Sequence, residues 1–202
     1  MEALLGLLPW LGLSYLIGSI PTGVLLGKFH GKDPREHGSG NIGASNVARV
    51  LGRKAAFVTV FIDISKGAVP PLLCTFFDCD QTTVLCSGFA SIIGHCFPIW
   101  LRFKGGKGVA TAMGTMLVIK PIVAIIAIMV WVIIVYFTRI PAIASLVAAA
   151  LFVALPQLEP TPFAVHCYTL AIAVVIWLRH GSNIGTLKRR FEKKKKSKGR
   201  RR

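Results

Sequence analysis

The sequence predicts an all-α, polytopic integral membrane protein of about seven transmembrane helices, some of them short, with the N-terminus outside and the C-terminus inside. Three observations predict it. Of 202 residues, 53% are hydrophobic and only 16% charged, with a mean hydropathy of +0.64, a balance that excludes a soluble globule. Apolar runs of membrane-crossing length alternate with short loops. The net charge of +16 is gathered in a few places, with 11 of the 24 Lys and Arg lying between Lys188 and Arg202. Residues 1–187 read as a single transmembrane domain and 188–202 as a basic cytoplasmic tail.

A crossing helix needs about 20 apolar residues at about 1.5 Å each. The run from Ala3 to Gly27 has no basic residue before it and no small-x-small site before Lys28, so it reads as a retained helix rather than a signal peptide. Ala55 to Phe77 and Thr82 to Leu101 follow. Val109 to Ile119 is apolar but only about 16 Å long as a helix. Pro121 to Thr138, Ile140 to Pro156 and Pro162 to Leu178 complete the set.

Charge fixes the topology. Basic short loops stay on the cytoplasmic side, which places Lys28 to Lys54, Arg102 to Lys107 and the tail inside together, and the Asp78, Asp80 and Glu159 turns outside. One helix over Val109 to Thr138 would carry Lys120-Pro121 in its middle and bring the tail out on the wrong side. A break at that proline makes two passes and restores parity. A re-entrant Val109 to Ile119 with five full crossings is the alternative, and it leaves the basic loops on the same face.

Three loops hold the chemistry. The first, His37 to Arg49, contains Gly38, Gly40 and Gly43 in a G-x-G-x-x-G spacing, but no strand precedes it, so it is not a dinucleotide fingerprint. It is either a glycine turn or an anion cradle in which backbone N–H groups and Ser, Asn and Arg side chains donate. The second, Arg102 to Thr111, runs from a basic glycine turn into the short apolar helix. That is the pattern of a phosphate nest at a helix N-terminus, although positive-inside topology alone would also place its charges there. Gly108 after Lys107 and the missing spacer exclude a Walker A motif. The third, Arg179 to Ile184, sets His180 and Asn183 on one helical face. Asp63 and Lys66, three apart inside the second span, read as a structural ion pair. Cys74, Cys79, Cys86, Cys96 and Cys167 have no ligand spacing and read as packing residues, and His95 reads as a brace near the second loop.

Together these elements resemble the bacterial PlsY family of integral membrane acyl-phosphate glycerol-3-phosphate acyltransferases. The stretches that carry the resemblance are Gly38 to Arg49, Asp63 to Gly67, Gly94 to Pro98 leading through Phe103 to Thr111, and His180 to Ile184. The resemblance implies transfer of a fatty acyl group from acyl phosphate to the 1-hydroxyl of glycerol 3-phosphate, giving lysophosphatidate and phosphate for phospholipid synthesis. It implies Ser39, Arg49, Lys104, His180 and Asn183 as catalytic positions. Phosphate binding is expected from Gly40, Asn41, Gly43, Asn46, Gly105, Gly106, Lys107, Gly108 and Thr111. It also implies a bacterial inner-membrane location, active-site loops facing the cytoplasm, and coupling to an acyl-phosphate-forming enzyme. Neither cofactor nor metal is expected, and no nucleic acid partner. Ser45 stands where the family usually has Thr, Gly181 where Arg commonly follows the motif His, and Arg190-Phe191 precede Glu192 in place of Gly-Thr.

An acyl phosphate carries its own leaving group, so no enzyme nucleophile is required. The glycerol hydroxyl attacks directly, and either His180 or the donor phosphate takes the proton. No His is followed five residues later by Asp, so the signature of thioester-using glycerolipid acyltransferases is absent. An organic-phosphate transporter would also need basic loops and broken helices, but no internal repeat is present. The tail, with its 11 basic residues, would bind phosphates nonspecifically and is read as a membrane-surface anchor.

Overall fold

The computed structural model describes residues 2–181, with side chains described from Gly6 onward. Asn183, Glu192 and the basic tail lie outside the described residues. Among these there are nine α-helices, two short 3-10 turns and no strand. They are α1 Glu2–Gly18, α2 Thr22–Phe29, α3 Ala44–Val50, α4 Arg53–Phe76, α5 Gln81–Cys96, α6 Val109–Ile119, α7 Pro121–Thr138, α8 Pro141–Ala154 and α9 Phe163–Arg179. Helix α4 is the hub, packed on α6, α5, α3, α1 and α2, while α7, α8 and α9 form the other flank.

The expected break at Lys120-Pro121 is present: α6 ends at Ile119 and α7 starts with Pro121 at its first position, where a missing N–H costs nothing. Lys120 spans the corner, its Nζ donating to Glu159 Oε1 at 2.8 Å and Thr161 Oγ1 at 3.0 Å. Among the described residues, five segments are long and apolar enough to cross a membrane, and α6 and α9 are shorter apolar helices.

Two expected helices are not continuous. The run from Ala3 to Gly27 divides into α1 and α2 at Ser19 to Pro21. Pro21 supplies no N–H and crowds the preceding turn, and the Ile20 carbonyl freed by the break accepts from Lys66 Nζ at 2.9 Å. The third run stops at Cys96, where Phe97-Pro98 ends α5, and resumes as a 3-10 turn over Ile99–Leu101. The first loop also folds a short helix, α3, that its composition did not suggest.

Small residues let the helices approach closely. A Cβ on Gly18 would meet Ser91 backbone and one on Gly94 would meet Tyr15 backbone, which locks α1 to α5. Gly67 faces Thr111 backbone and Gly114 faces Ile64 backbone, which locks α4 to α6 in the same way. The buried apolar cluster runs through Ile92, Met116, Ala124, Phe152, Ile172 and Ile176.

Candidate functional site

The expected Asp63 to Lys66 pair forms, with Nζ to Oδ1 at 2.8 Å and both side chains nearly inaccessible. Asp63 Oδ1 also accepts from Thr22 Oγ1 at 3.2 Å and lies 3.7 Å from His95 Nδ1. Ser91 Oγ donates to the Lys66 carbonyl at 2.7 Å. This network joins α2, α4 and α5 and reaches the second loop through His95, whose carbonyl accepts from Gly106 N.

The second loop is pinned on two edges. The Gly105 and Gly106 amides donate to Cys96 O at 3.2 Å and His95 O at 3.0 Å. Their carbonyls accept from Arg179, Gly105 O from Nη2 at 2.9 Å and Gly106 O from Nε at 3.0 Å. The Arg179 guanidinium also stacks over Phe97, 4.9 Å from the ring centroid, and Tyr15 Oη holds the Phe97 carbonyl at 2.7 Å. A Cβ on Gly106 would land on the His95 ring. Gly108 adopts φ +79° and starts α6, whose first-turn N–H groups have no intrahelical partner. Thr111, in that turn, is fully buried and its Oγ1 has no hydrogen-bond partner among the described residues.

Asn46 organises the first loop. Its Nδ2 donates to Pro34 O at 2.8 Å, Asn41 O at 2.9 Å and His37 O at 3.0 Å, and its Oδ1 accepts from Ser39 N at 2.8 Å. Asn41 Oδ1 accepts from Gly43 N at 2.8 Å, and Gly40 N donates to His37 O at 3.1 Å. Ser39 and Arg49 remain exposed on this braced frame.

These bonds give internal partners to several of the amides expected at the phosphate. The amides of Gly40, Gly43, Gly105 and Gly106 were expected to cradle phosphate, yet all four already donate within the protein. A Cβ would not fit at Gly105 or Gly106, and φ is positive at Gly40 and Gly108. Asn46 is likewise a brace, its amide spent on the backbone. Ser39, Arg49 and Lys104 have exposed side chains, and Lys107 is half-buried beside the start of α6.

Lys107 feels the charges of the other two elements. Burial lowers its ammonium to about 8, and the nearby cations Arg179 and Arg49, from the third and first elements, add to the shift. Lys107 in turn helps to lower His180 below its ordinary value, after burial, which is the larger cause. The His180 ring is 2% exposed, and its Nδ1 donates to Ile176 O at 2.8 Å. That bond fixes the tautomer and leaves Nε2 as an acceptor. Sequence reasoning assigned no contact to Arg179, although it opens the third motif.

A groove of about 640 Å³ is walled by apolar residues including Leu16, Ile17, Val24 and Trp100, with Lys28 and Arg35 on its lining. It adjoins a second hollow of about 390 Å³, sharing Arg35, Trp100 and Leu101 and bounded by Arg102 and Lys104. Arg35 is tied to Asp33, with Nε to Oδ1 at 3.0 Å, which holds the Asp33 carboxyl below its usual range. No group of three or more His, Cys, Asp or Glu among the described residues could hold a metal ion.

The family model for glycerol-3-phosphate acyltransferase matches residues 8–190. A glycerol-3-phosphate acyltransferase of Trichlorobacter lovleyi is 40% identical over 178 residues, covering 88% of this chain and 92% of that one. One of Gluconobacter oxydans is 44% identical over 184 residues, covering 86% of each. The crystal structure of PlsY, an integral membrane glycerol 3-phosphate acyltransferase, in its glycerol 3-phosphate form superposes with a TM-score of 0.86 at 37% identity, over 90% of this chain and 92% of that one. Its lysophosphatidic acid form gives 0.82 at the same identity, over 90% and 91%. With the helical frame, the three converging loops and these relatives in agreement, the resemblance seen in the motifs is borne out: this chain belongs to the PlsY family of membrane glycerol-3-phosphate acyltransferases.

Proposed function

We propose that the protein transfers a fatty acyl group from acyl phosphate to the 1-hydroxyl of glycerol 3-phosphate, releasing lysophosphatidate and inorganic phosphate on the cytoplasmic face of a bacterial inner membrane. The observation that carries the donor is the groove: an apolar wall on the lipid side leads to Lys104, where a phosphate head would sit. An acyl chain fits the wall, and the head meets Lys104, Lys107 and the positive end of α6. Ser39, Arg49 and His180, together with Asn183 of the same motif, are assigned to glycerol 3-phosphate.

The hydroxyl oxygen attacks the acyl carbonyl and forms the ester bond, while the bond from the carbonyl carbon to the phosphate oxygen breaks. The lysines and α6 offset charge on the departing phosphate. His180 is held neutral with its acceptor at Nε2, which orients the hydroxyl. Its lowered basicity makes it a poorer proton acceptor than the leaving phosphate, which gains charge as it departs. The proton therefore goes to phosphate, and no acyl-enzyme forms. Seven passes, N-terminus outside, put the loops and the tail on one side, and an acyl-phosphate-forming enzyme supplies the donor.

Labelled phosphate supplied with palmitoyl phosphate, without glycerol 3-phosphate, tests the direct route. No label enters palmitoyl phosphate if transfer is direct. Exchange at a rate comparable to turnover would demand an acyl-enzyme and overturn it.

A further inference from the structure

Arg179 makes no contact that the reaction as described requires, yet it reaches across more than 70 positions of chain to the second loop. We propose that Arg179 is a positioning residue for the acyl-phosphate half of the site, clamping the Gly105 and Gly106 carbonyls so that Lys104, Lys107 and the start of α6 face the donor phosphate. The proposal rests on the donor reading given above.

Three features of the geometry support it. First, the planar guanidinium places two N–H groups on two successive carbonyls, a match that a single ammonium cannot reproduce. Second, the amides of the same two glycines are bonded on the opposite edge to His95 and Cys96. The peptide group between Gly105 and Gly106 is then held at both ends, its carbonyl by Arg179 and its N–H by His95, so that carbonyl does not turn toward an incoming phosphate. Third, Arg179 is itself held: its guanidinium rests on the Phe97 ring, and Tyr15 anchors the Phe97 carbonyl. A cation on an aromatic face adds to the hold. Arg179 also immediately precedes His180 at the end of α9. One helix end therefore carries the residue that holds the donor loop and, next to it, the residue assigned to glycerol 3-phosphate, so the clamp sets the donor loop at a fixed place relative to the glycerol 3-phosphate side.

The role separates from general stability through its selectivity. The full chain, purified in lipid-containing detergent, is compared with Arg179→Lys and Arg179→Gln. Two quantities are read: KM for palmitoyl phosphate and for glycerol 3-phosphate, and the inorganic phosphate concentration giving half-maximal thermal stabilisation at saturating glycerol 3-phosphate. The clamp predicts that Arg179→Lys, although it keeps the charge, raises the palmitoyl phosphate KM and the phosphate midpoint about tenfold, while the glycerol 3-phosphate KM stays within about twofold. Arg179→Gln shows the same selectivity with a larger effect. Equal rises in both KM values, full rescue by Lys, or a phosphate midpoint that does not move would each overturn the clamp. The phosphate arm uses no acyl donor. If the wild type releases no phosphate from palmitoyl phosphate, the donor reading fails while that arm still decides the clamp.

Discussion

Replacing Gly106 by Ala adds one methyl group where the structure has no room for it. The new Cβ would lie 2.8 Å from His95 Cε1 and 2.9 Å from Cδ2, closer still to Nε2. Ordinary contact would require the loop or the ring to move by more than about 1 Å. The ring cannot yield easily, since His95 is 5% exposed and lies against the Asp63 and Lys66 pair. The loop therefore moves, breaking register with the Arg179 clamp and displacing Lys107. A displacement of that size costs about 100-fold in rate, or about 2.7 kcal/mol of transition-state stabilisation. The assay is phosphate release from palmitoyl phosphate at varied concentrations of both substrates, with Gly12→Ala as control because a Cβ there meets nothing within 4 Å. Gly106→Ala should lose about 100-fold in kcat/KM for palmitoyl phosphate, and adding His95→Ala should recover part of the loss. Wild-type kinetics in Gly106→Ala, or losses that simply add in the double variant, would refute the steric argument.

Three further outcomes follow from the same geometry. Asn46→Asp sets an oxygen against the carbonyls of Pro34, His37 and Asn41, so stability should fall by about 3 kcal/mol and activity with it; a wild-type Tm would contradict the bracing role. Lys107 titrates near 8 because burial, Arg179 and Arg49 all disfavour its charge, so the cation is lost as pH rises through that value. The kcat/KM for palmitoyl phosphate should therefore decline above about 8, and Lys107→Arg, which stays charged, should remove that limb; an unchanged limb would assign it elsewhere. Asp63→Asn leaves Lys66 buried without its carboxylate and should cost about 3–5 kcal/mol, read as a lower Tm in detergent; an unaltered Tm would show that the pair is dispensable.

Much of the frame was legible because its punctuation is chemical. Lys120-Pro121 announces a break, and charge parity required that break to be real. Proline alone was not a sufficient guide, however. Pro9, Pro70 and Pro71 sit inside continuous helices, whereas Pro21 divides α1 from α2. The difference is tertiary: at Pro21 the released Ile20 carbonyl finds Lys66, a partner 46 positions away that no local pattern shows. The site residues were legible as a set of motifs, but not in their division of labour. A glycine that offers its amide to an anion and a glycine that merely makes room look alike in sequence. Only the bonds to His95, Cys96 and His37 tell them apart. Asn46 likewise reads as a donor for ligands until its amide is found fully engaged. The His95 signal was present in Gly94-His95, close in sequence to the loop it supports, and the Arg179 signal in its place immediately before His180.

The most direct test of the account is lysophosphatidate formation by the purified protein, given glycerol 3-phosphate with palmitoyl phosphate and, in parallel, with palmitoyl-CoA. The account predicts lysophosphatidate and an equal amount of phosphate from the first donor and neither from the second. Lysophosphatidate from palmitoyl-CoA at a comparable rate, or no product with either donor from folded protein, would contradict it.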